Sequence, residues 1–255
     1  MERDDLPSLA GFFAGAEPLV RGGVARLGED AAHHIRVRRL NVGERVFLAD
    51  GAGAQAVGSI VRLSRKDADV SVDDVARFDA PSPVHLIVPI ADRDRMLWCA
   101  EKCAELGAST WRPILWNRSR SVSPRGEGTA FAEKVRARMT SALLQSHSAW
   151  LPDVLADSAL EQAIAALPPG GTRIVLDVSG EPIAAMRFRR PVTIAVGPEG
   201  GIEPGELAVL RDAGFRTASL GANVLRFETA AVAALAIVRS TLAASPEPTD
   251  ALTNG

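Results

Sequence analysis

Cysteine is nearly absent from this 255-residue chain. Only Cys99 and Cys103 occur, which excludes a disulfide framework. Four residues apart on an expected helix, they share one face, and no histidine or further cysteine lies nearby in sequence to complete a zinc set. Both are expected to be small buried thiols, with no metal bound. The chain also lacks any run near the roughly 18 consecutive apolar residues that a membrane span needs. Its first residues, Met1-Glu-Arg-Asp-Asp5, are acidic where a secretory leader is basic and then apolar. No membrane partner is expected, and the cytoplasm is the expected compartment. Two phosphate-binding patterns are missing as well: Gly-x-x-x-x-Gly-Lys-Ser/Thr and Gly-x-Gly-x-x-Gly. The second absence counts against a Rossmann-type dinucleotide enzyme.

What is present is a globular composition, 47% hydrophobic with a mean hydropathy of +0.07, enough for one large core or two modest ones. The net charge of -2 averages over clusters. Arg36, Arg38, Arg39 and Arg45 face one acid, Glu44, and six arginines with Lys134 between Arg112 and Arg138 face only Glu127 and Glu133. Clustered positive charge is the footprint of phosphate binding, although by charge alone a solvated face is slightly favoured.

Residues 1–77 read as a small β-rich barrel. A strand over 44–50 is closed by the turn pair Asp50-Gly51, alternating strands follow over 55–63 and 68–75, and a short helix over 33–40 lies on the sheet. The proline-containing stretch 77–83 reads as a linker. Strands and helices then alternate through 84–244, the pattern of a mostly parallel α/β sheet. Strands are expected over 84–90, 111–116, 173–178 and 192–196, with a last short one ending at 220. Helices are expected over 93–107, 129–149, 157–167, 204–213 and 229–243. The helix at 157 carries Ser158 and Glu161 in capping-box spacing. The tail, 245–255, is polar, proline-containing and expected to be disordered.

Two strand-to-helix junctions carry most of the functional information. In Ala195-Val-Gly-Pro-Glu-Gly-Gly201, Pro198 stiffens a turn in which Gly200 and Gly201 permit positive φ and close approach of a ligand to backbone. Acids at 199, 203 and 206 make this a poor place for a phosphate, so a neutral or cationic ligand is favoured. In Leu220-Gly-Ala-Asn-Val-Leu-Arg-Phe-Glu-Thr-Ala230, Leu220 and Leu225 offer apolar walls, Arg226 and Glu228 a charge pair, and Thr229 an N-cap hydroxyl. Junctions of this kind at the carboxyl ends of neighbouring strands are where open α/β sheets bind ligands.

These two segments, in this order, resemble the C-terminal signature of the RsmE-type family of SPOUT methyltransferases. The resemblance extends over most of the chain: His33-His-Ile-Arg-Val-Arg-Arg-Leu40 with Val42 to Gly51, then Glu101 to Gly107, Pro113 to Ser119, Gln145-Ser146 and Leu151-Pro152. It implies a PUA-like RNA-binding barrel followed by an α/β domain whose C-terminal part is tied into a trefoil knot. The implied reaction is methylation of N3 of a uridine in 16S ribosomal RNA, with S-adenosyl-L-methionine as donor and a homodimer as the working form. Carried over position by position, cofactor contacts fall at Leu176, Gly197, Glu199, Gly200, Gly201, Leu220, Gly221, Leu225, Arg226 and Thr229. Arg226 becomes the expected stabiliser of the uracil oxygens, oriented by Glu228. His33, His34, Arg36, Arg38, Arg39, Arg118, Arg120 and Arg125 become the expected RNA contacts. His147 is a candidate for local compensation, and His85 is expected to be structural. Three positions depart from the family pattern: Ala91 stands for a usual lysine, Leu144 for an acid and Ser148 for an arginine. They leave open the alternative of a catalytically weak, RNA-binding paralogue.

Overall fold

A computed structural model of the chain describes residues 9–15, 18–119 and 124–244; the tail expected to be disordered lies outside them. The chain divides into two compact units, each discontinuous in sequence: Met1–Pro81 with Ala100–Ser109 and Ala130–Val154, and Ser82–Cys99 with Thr110–Thr129 and Leu155–Gly255.

The first unit holds a five-stranded sheet of β1 (Ala10–Phe13), β2 (Val24–Leu27), β3 (Arg45–Ala49), β4 (Ala54–Leu63) and β5 (Ala68–Arg77), in the order β1-β3-β4-β5-β2. β1 runs parallel to β3, and the remaining pairs are antiparallel. The β3–β4 turn is set by Asp50, whose carboxylate accepts the amides of Ala52 and Ala54 at 2.7 and 2.9 Å, while Gly51 takes φ +73°. Helix α1 (Glu29–Val37) covers one face through Ala32 and Ile35.

β5 alternates buried and half-buried residues through its first half, as its pattern predicts. β4 does not: from Ala54 to Gly58 both faces are buried. The reason is a second layer. Phe47, Ala49 and Val57 form a cluster with Leu143 of helix α3 (Thr129–Ser146), with Leu144 and Leu151 packed against it. The barrel's unit therefore extends past residue 77 to include most of α3. The stretch 78–81 is pinned as well, since the Trp150 indole donates to the carbonyls of Phe78 and Asp79, both at 3.1 Å.

The second unit is built on β6 (Val84–Pro89), β7 (Thr110–Ile114), β9 (Thr172–Pro182), β10 (Val192–Ala195) and β11 (Phe215–Ser219), in the order β11-β9-β10-β6-β7, while the two-residue β8 (Asp153–Val154) belongs to the first unit. The pairs β11–β9, β9–β10, β10–β6 and β6–β7 are all parallel. Helices α2 (Arg93–Glu105), α4 (Leu160–Ala165) and α5 (Pro204–Asp212) lie between strands, and α6 (Phe227–Ala244) follows β11. Strands β6 and β10 are buried almost throughout, as parallel strands covered on both faces must be. Cys99 and Cys103 are both buried on α2.

Two expected helix starts are displaced. α4 begins at Leu160 with Ala159 as N-cap and no side-chain cap, so Ser158 and Glu161 form no capping box. α6 begins at Phe227, its first turn closed by the Ala230 amide on the Arg226 carbonyl at 2.9 Å, which places Thr229 inside the helix rather than at its cap. α6 is long and apolar enough by length and composition to cross a membrane, although Glu228 and Arg239 interrupt its apolar run. Ala231, Ala234, Leu235 and Val238 are fully buried within the protein.

Ile194, fully buried at the centre of β10 between β9 and β6, gives a direct measure of this core. Ile194→Ala is expected to cost about 2–5 kcal/mol, read as a lower urea midpoint at unchanged slope.

Candidate functional site

Because β9, β10 and β11 are parallel neighbours, their carboxyl ends open on one edge of the sheet. β10 pairs with β9 as far as Ala195 opposite Val175, and Leu176, Asp177 and Val178 lie just beyond that last pair. Together with the turn 196–202 and the segment after β11 they enclose a cavity of about 320 Å3, within the range of small-molecule sites. Leu176, Gly197, Glu199, Gly200, Gly201, Leu220, Gly221 and Leu225 all line it, and so do Asp177, Pro198, Val224 and Phe227. Arg226 and Thr229 do not: both side chains are exposed outside it.

The turn owes its shape to glycine at two places. Gly201 sits at φ +77°, where an L side chain is strained. A Cβ at Gly197 would stand 2.6 Å from the Ile202 side chain, so any larger residue there displaces the cavity wall. A short segment, Asn117–Ser119 with Trp116 before it, fixes the turn in place. The Trp116 indole donates to the Val196 carbonyl at 3.2 Å. The Arg118 guanidinium donates to the Gly200 carbonyl at 2.7 Å. The Asn117 side chain donates to Glu203 and its amide to Glu206, both at 2.9 Å. Glu206 also accepts the Glu203 amide at 3.0 Å, closing the start of α5. Two of the three acids beside the turn are thus spent on anchoring it.

Two acids remain at the cavity. Glu199 pairs with Arg95. Asp177 accepts the hydroxyl and amide of Ser179 at 2.6 and 2.8 Å, and these bonds, with Arg211 nearby, hold its carboxyl below the usual range. Ionised at neutral pH, it suits a cation or a hydroxyl-bearing ligand. Sequence reading passed over Asp177, the acid that follows the apolar run Ile174-Val-Leu176 within β9. The cavity mouth is apolar and open, with Val224 82% and Val178 56% exposed.

The expected pairing of Arg226 with Glu228 is not formed. Arg226 is exposed, whereas Glu228 is buried on the first turn of α6 with one carboxylate oxygen lacking a partner. Of the expected RNA contacts, His33, His34, Arg36, Arg38 and Arg39 are all exposed along α1 and the turn that follows it. Arg39 takes φ +58° in a helix end closed by Leu40 to Ile35 at 3.0 Å, and Arg36 is held by the Ser64 carbonyl at 2.6 Å. Arg118 anchors the glycine turn, Arg125 pairs with Glu127, and Arg120 lies outside the described residues. His147 is a packing residue: its ring meets Phe47 edge-on at 5.2 Å and its carbonyl accepts Gln55 at 2.8 Å. His85 bonds Thr110 at 3.1 Å, and burial, with Arg239 nearby, lowers its pKa.

Residues 79–239 match the RNA methyltransferase domain, and residues 27–73 match the RNA methyltransferase PUA domain. The chain belongs to this RNA methyltransferase family. It is 30% identical over 230 residues to the ribosomal RNA small subunit methyltransferase E of Mycobacterium bovis, covering 83% of this chain and 84% of that one. The crystal structure of a ribosomal RNA small subunit methyltransferase E from Neisseria gonorrhoeae, bound to S-adenosyl methionine, superimposes with a TM-score of 0.82 at 25% identity, covering 91% of this chain and 97% of that one. A probable rRNA-methyltransferase from Porphyromonas gingivalis gives 0.73 at 29% identity over 87% and 94%. In family terms, the exposed α1 cluster belongs to the PUA region and the glycine-lined cavity to the methyltransferase domain.

Gly201→Val is expected to strain the turn and to weaken S-adenosyl-L-methionine binding at least tenfold by calorimetry, with the fold retained by circular dichroism. Asp177 supplies a pH test. Its folded pKa lies below the ordinary 3.8, so its stabilising contribution is present above about pH 4 and is lost as the pH falls through the lowered value. Asp177→Asn should flatten the acid limb of the stability curve there, measured by thermal unfolding between pH 2.5 and 6.

Proposed function

We propose that this chain transfers the methyl group of S-adenosyl-L-methionine to N3 of a uridine in the 16S RNA of the small ribosomal subunit. The observation that carries this reading is the cavity of about 320 Å3 walled by the 197–201 turn and the 220–225 segment. Family membership and the S-adenosyl methionine-bound neighbour support it. The residues present fit the donor: glycine backbone allows close approach, Asp177 and Glu199 suit a sulfonium cation, and Leu176, Leu220, Val224 and Leu225 suit its apolar parts. Bound there, the donor supplies an electrophilic methyl group. The SPOUT reading also includes a knotted path for the C-terminal part, and a pocket made mainly of backbone is in keeping with it.

The chain's own residues have two tasks. His33, His34, Arg36, Arg38 and Arg39 hold phosphates and place the RNA without reading its sequence. The methyltransferase domain then deals with a uridine N3 that is protonated and a poor nucleophile at neutral pH, so the proton must leave and the charge on the uracil oxygens must be stabilised. Arg226, exposed directly after Leu225 at the cavity mouth, is placed for an RNA contact there. Arg226 and Glu228, apart as they are, do not form the orienting pair expected for the chemistry. Ribosomal RNA as substrate places the protein in the cytoplasm.

A homodimer is part of the proposal. On α6, Val232, Ala233, Ala236 and Ile237 remain half-exposed beside the buried stripe, an apolar face suited to a two-fold contact. Sedimentation equilibrium should give a mass near twice 26.9 kDa, and Ile237→Glu should shift it towards the monomer.

The activity is tested with labelled S-adenosyl-L-methionine and small subunits lacking the modification, followed by mass spectrometry of the nucleosides. N3-methyluridine is the expected product. RNA binding with a steep salt dependence and no methylated nucleoside would instead leave the non-catalytic paralogue.

A further inference from the structure

In the first unit, the long β4–β5 ribbon ends in a turn, residues 64–67, that carries its own frame. The Ser64 amide donates to the Asp67 carbonyl at 2.8 Å. The Ser64 hydroxyl oxygen accepts the amides of Lys66 and Asp67, both at 3.1 Å, and the hydroxyl donates to the Asp67 carboxylate. From outside the ribbon, the Arg36 guanidinium in the last turn of α1 donates to the Ser64 carbonyl at 2.6 Å. Leu40, just past α1, and Leu63, the last residue of β4, pack against the same core cluster. The turn is therefore fixed, and it is fixed beside the basic end of α1. The charges around it divide in two. Asp67 accepts Arg62 at 2.9 Å, and Asp69 accepts Arg62 at 2.7 Å and Arg26 at 3.2 Å. These bonds, that of Arg62 first, hold both carboxyls below the usual range. At the tip, the side chains of Arg65 and Lys66 are exposed and have no hydrogen-bond or ion-pair partner among the described residues, and the same is true of Arg38 and Arg39.

We infer that the Arg65-Lys66 tip is a second RNA contact, gripping the phosphate backbone alongside the exposed cluster of α1. This rests on the ribosomal RNA reading above. Like charges held together on one side of a domain repel, and a polyanion laid across them relieves that repulsion. The cations stand on two elements joined by one bond, so a run of phosphates, rather than a single one, engages both. No phenylalanine or tryptophan of this unit is exposed among the described residues, which leaves little to stack unpaired bases and favours contact with the backbone. Such contacts position the RNA without reading its sequence. Because the turn is held before RNA arrives, little chain is ordered on binding. Arg36 has the positioning role: one amino group fixes the tip in register with α1, and its remaining N–H groups stay available to phosphate. Along the sequence Arg65 and Lys66 are cancelled by Asp67 and Asp69, which is why charge counting passed over them. In space those two acids answer to Arg62 and Arg26 instead.

Arg65→Gln combined with Lys66→Gln in the full chain tests this. Affinity for small subunits lacking the modification is measured by filter binding over a range of salt concentrations, with circular dichroism as the check on folding. Each phosphate contact adds about one to the slope of log affinity against log salt. The double variant should therefore lower the slope by about two and weaken binding about tenfold or more at about 0.1 M salt. Arg65→Lys, which keeps the charge, should hold the wild-type slope. Arg26→Gln removes an exposed charge that Asp69 already answers, and its slope should fall by much less than that of the tip variant per charge removed. A wild-type slope in the double variant would leave a merely solvated turn and overturn the contact. An equal fall per charge in Arg26→Gln would reduce the effect to net charge and overturn it as well. Either result leaves the methyltransferase reading intact. A wild-type chain that binds no small subunit would remove the ribosomal RNA reading and the tip contact with it.

Discussion

The glycine turn between β10 and α5 must approach a ligand by its backbone, and for that reason it has almost no side chains with which to hold itself. The segment that follows β7 compensates for this. Trp116, Asn117 and Arg118 reach over from the end of β7 and bond Val196, Glu203, Glu206 and Gly200 in succession. Trp116 is fully buried in the same cluster as Ala195 of β10 and Leu210 of α5, so the clamp is part of the core rather than a surface decoration. A backbone-lined pocket held in this way is preformed: its shape is fixed before any ligand arrives, and binding orders little further chain.

This arrangement changes the meaning of the local charges. Read along the sequence, Glu199, Glu203 and Glu206 form an acidic surround that selects against phosphate. In space they divide. Glu203 and Glu206 are structural acceptors for Asn117 and the first turn of α5, and only Glu199 faces the cavity. The acidity at the cavity comes instead from Glu199 together with Asp177. Arg118 shifts in the same sense, from an expected RNA contact to a residue whose first partner is the Gly200 carbonyl.

Much of this was legible beforehand because periodicity and glycine placement are local properties. The parallel α/β region and the short helix on the barrel emerged from patterns a few residues long, and eight of the ten positions that the family resemblance gave to the cofactor line the cavity. The misreadings were non-local. β1 and β2, four residues each, are too short to show a period, and β4 lost its alternation because α3 covers its second face. Leu144 and Ser148, departures from the family pattern, find their explanation only in packing: Leu144 lies against the Phe47 cluster and Ser148 bonds the Trp150 backbone. The Arg95–Glu199 pair joins residues 104 apart, and nothing in the sequence between them announces it.

The account stands on one cavity, walled by the 197–201 turn and the 220–225 segment, as the proposed site of the methyl donor. A crystal structure with S-adenosyl-L-methionine bound tests this most directly. The prediction is density for the adenosyl group within the 197–201 and 220–225 walls. An adenosyl group bound elsewhere would contradict it.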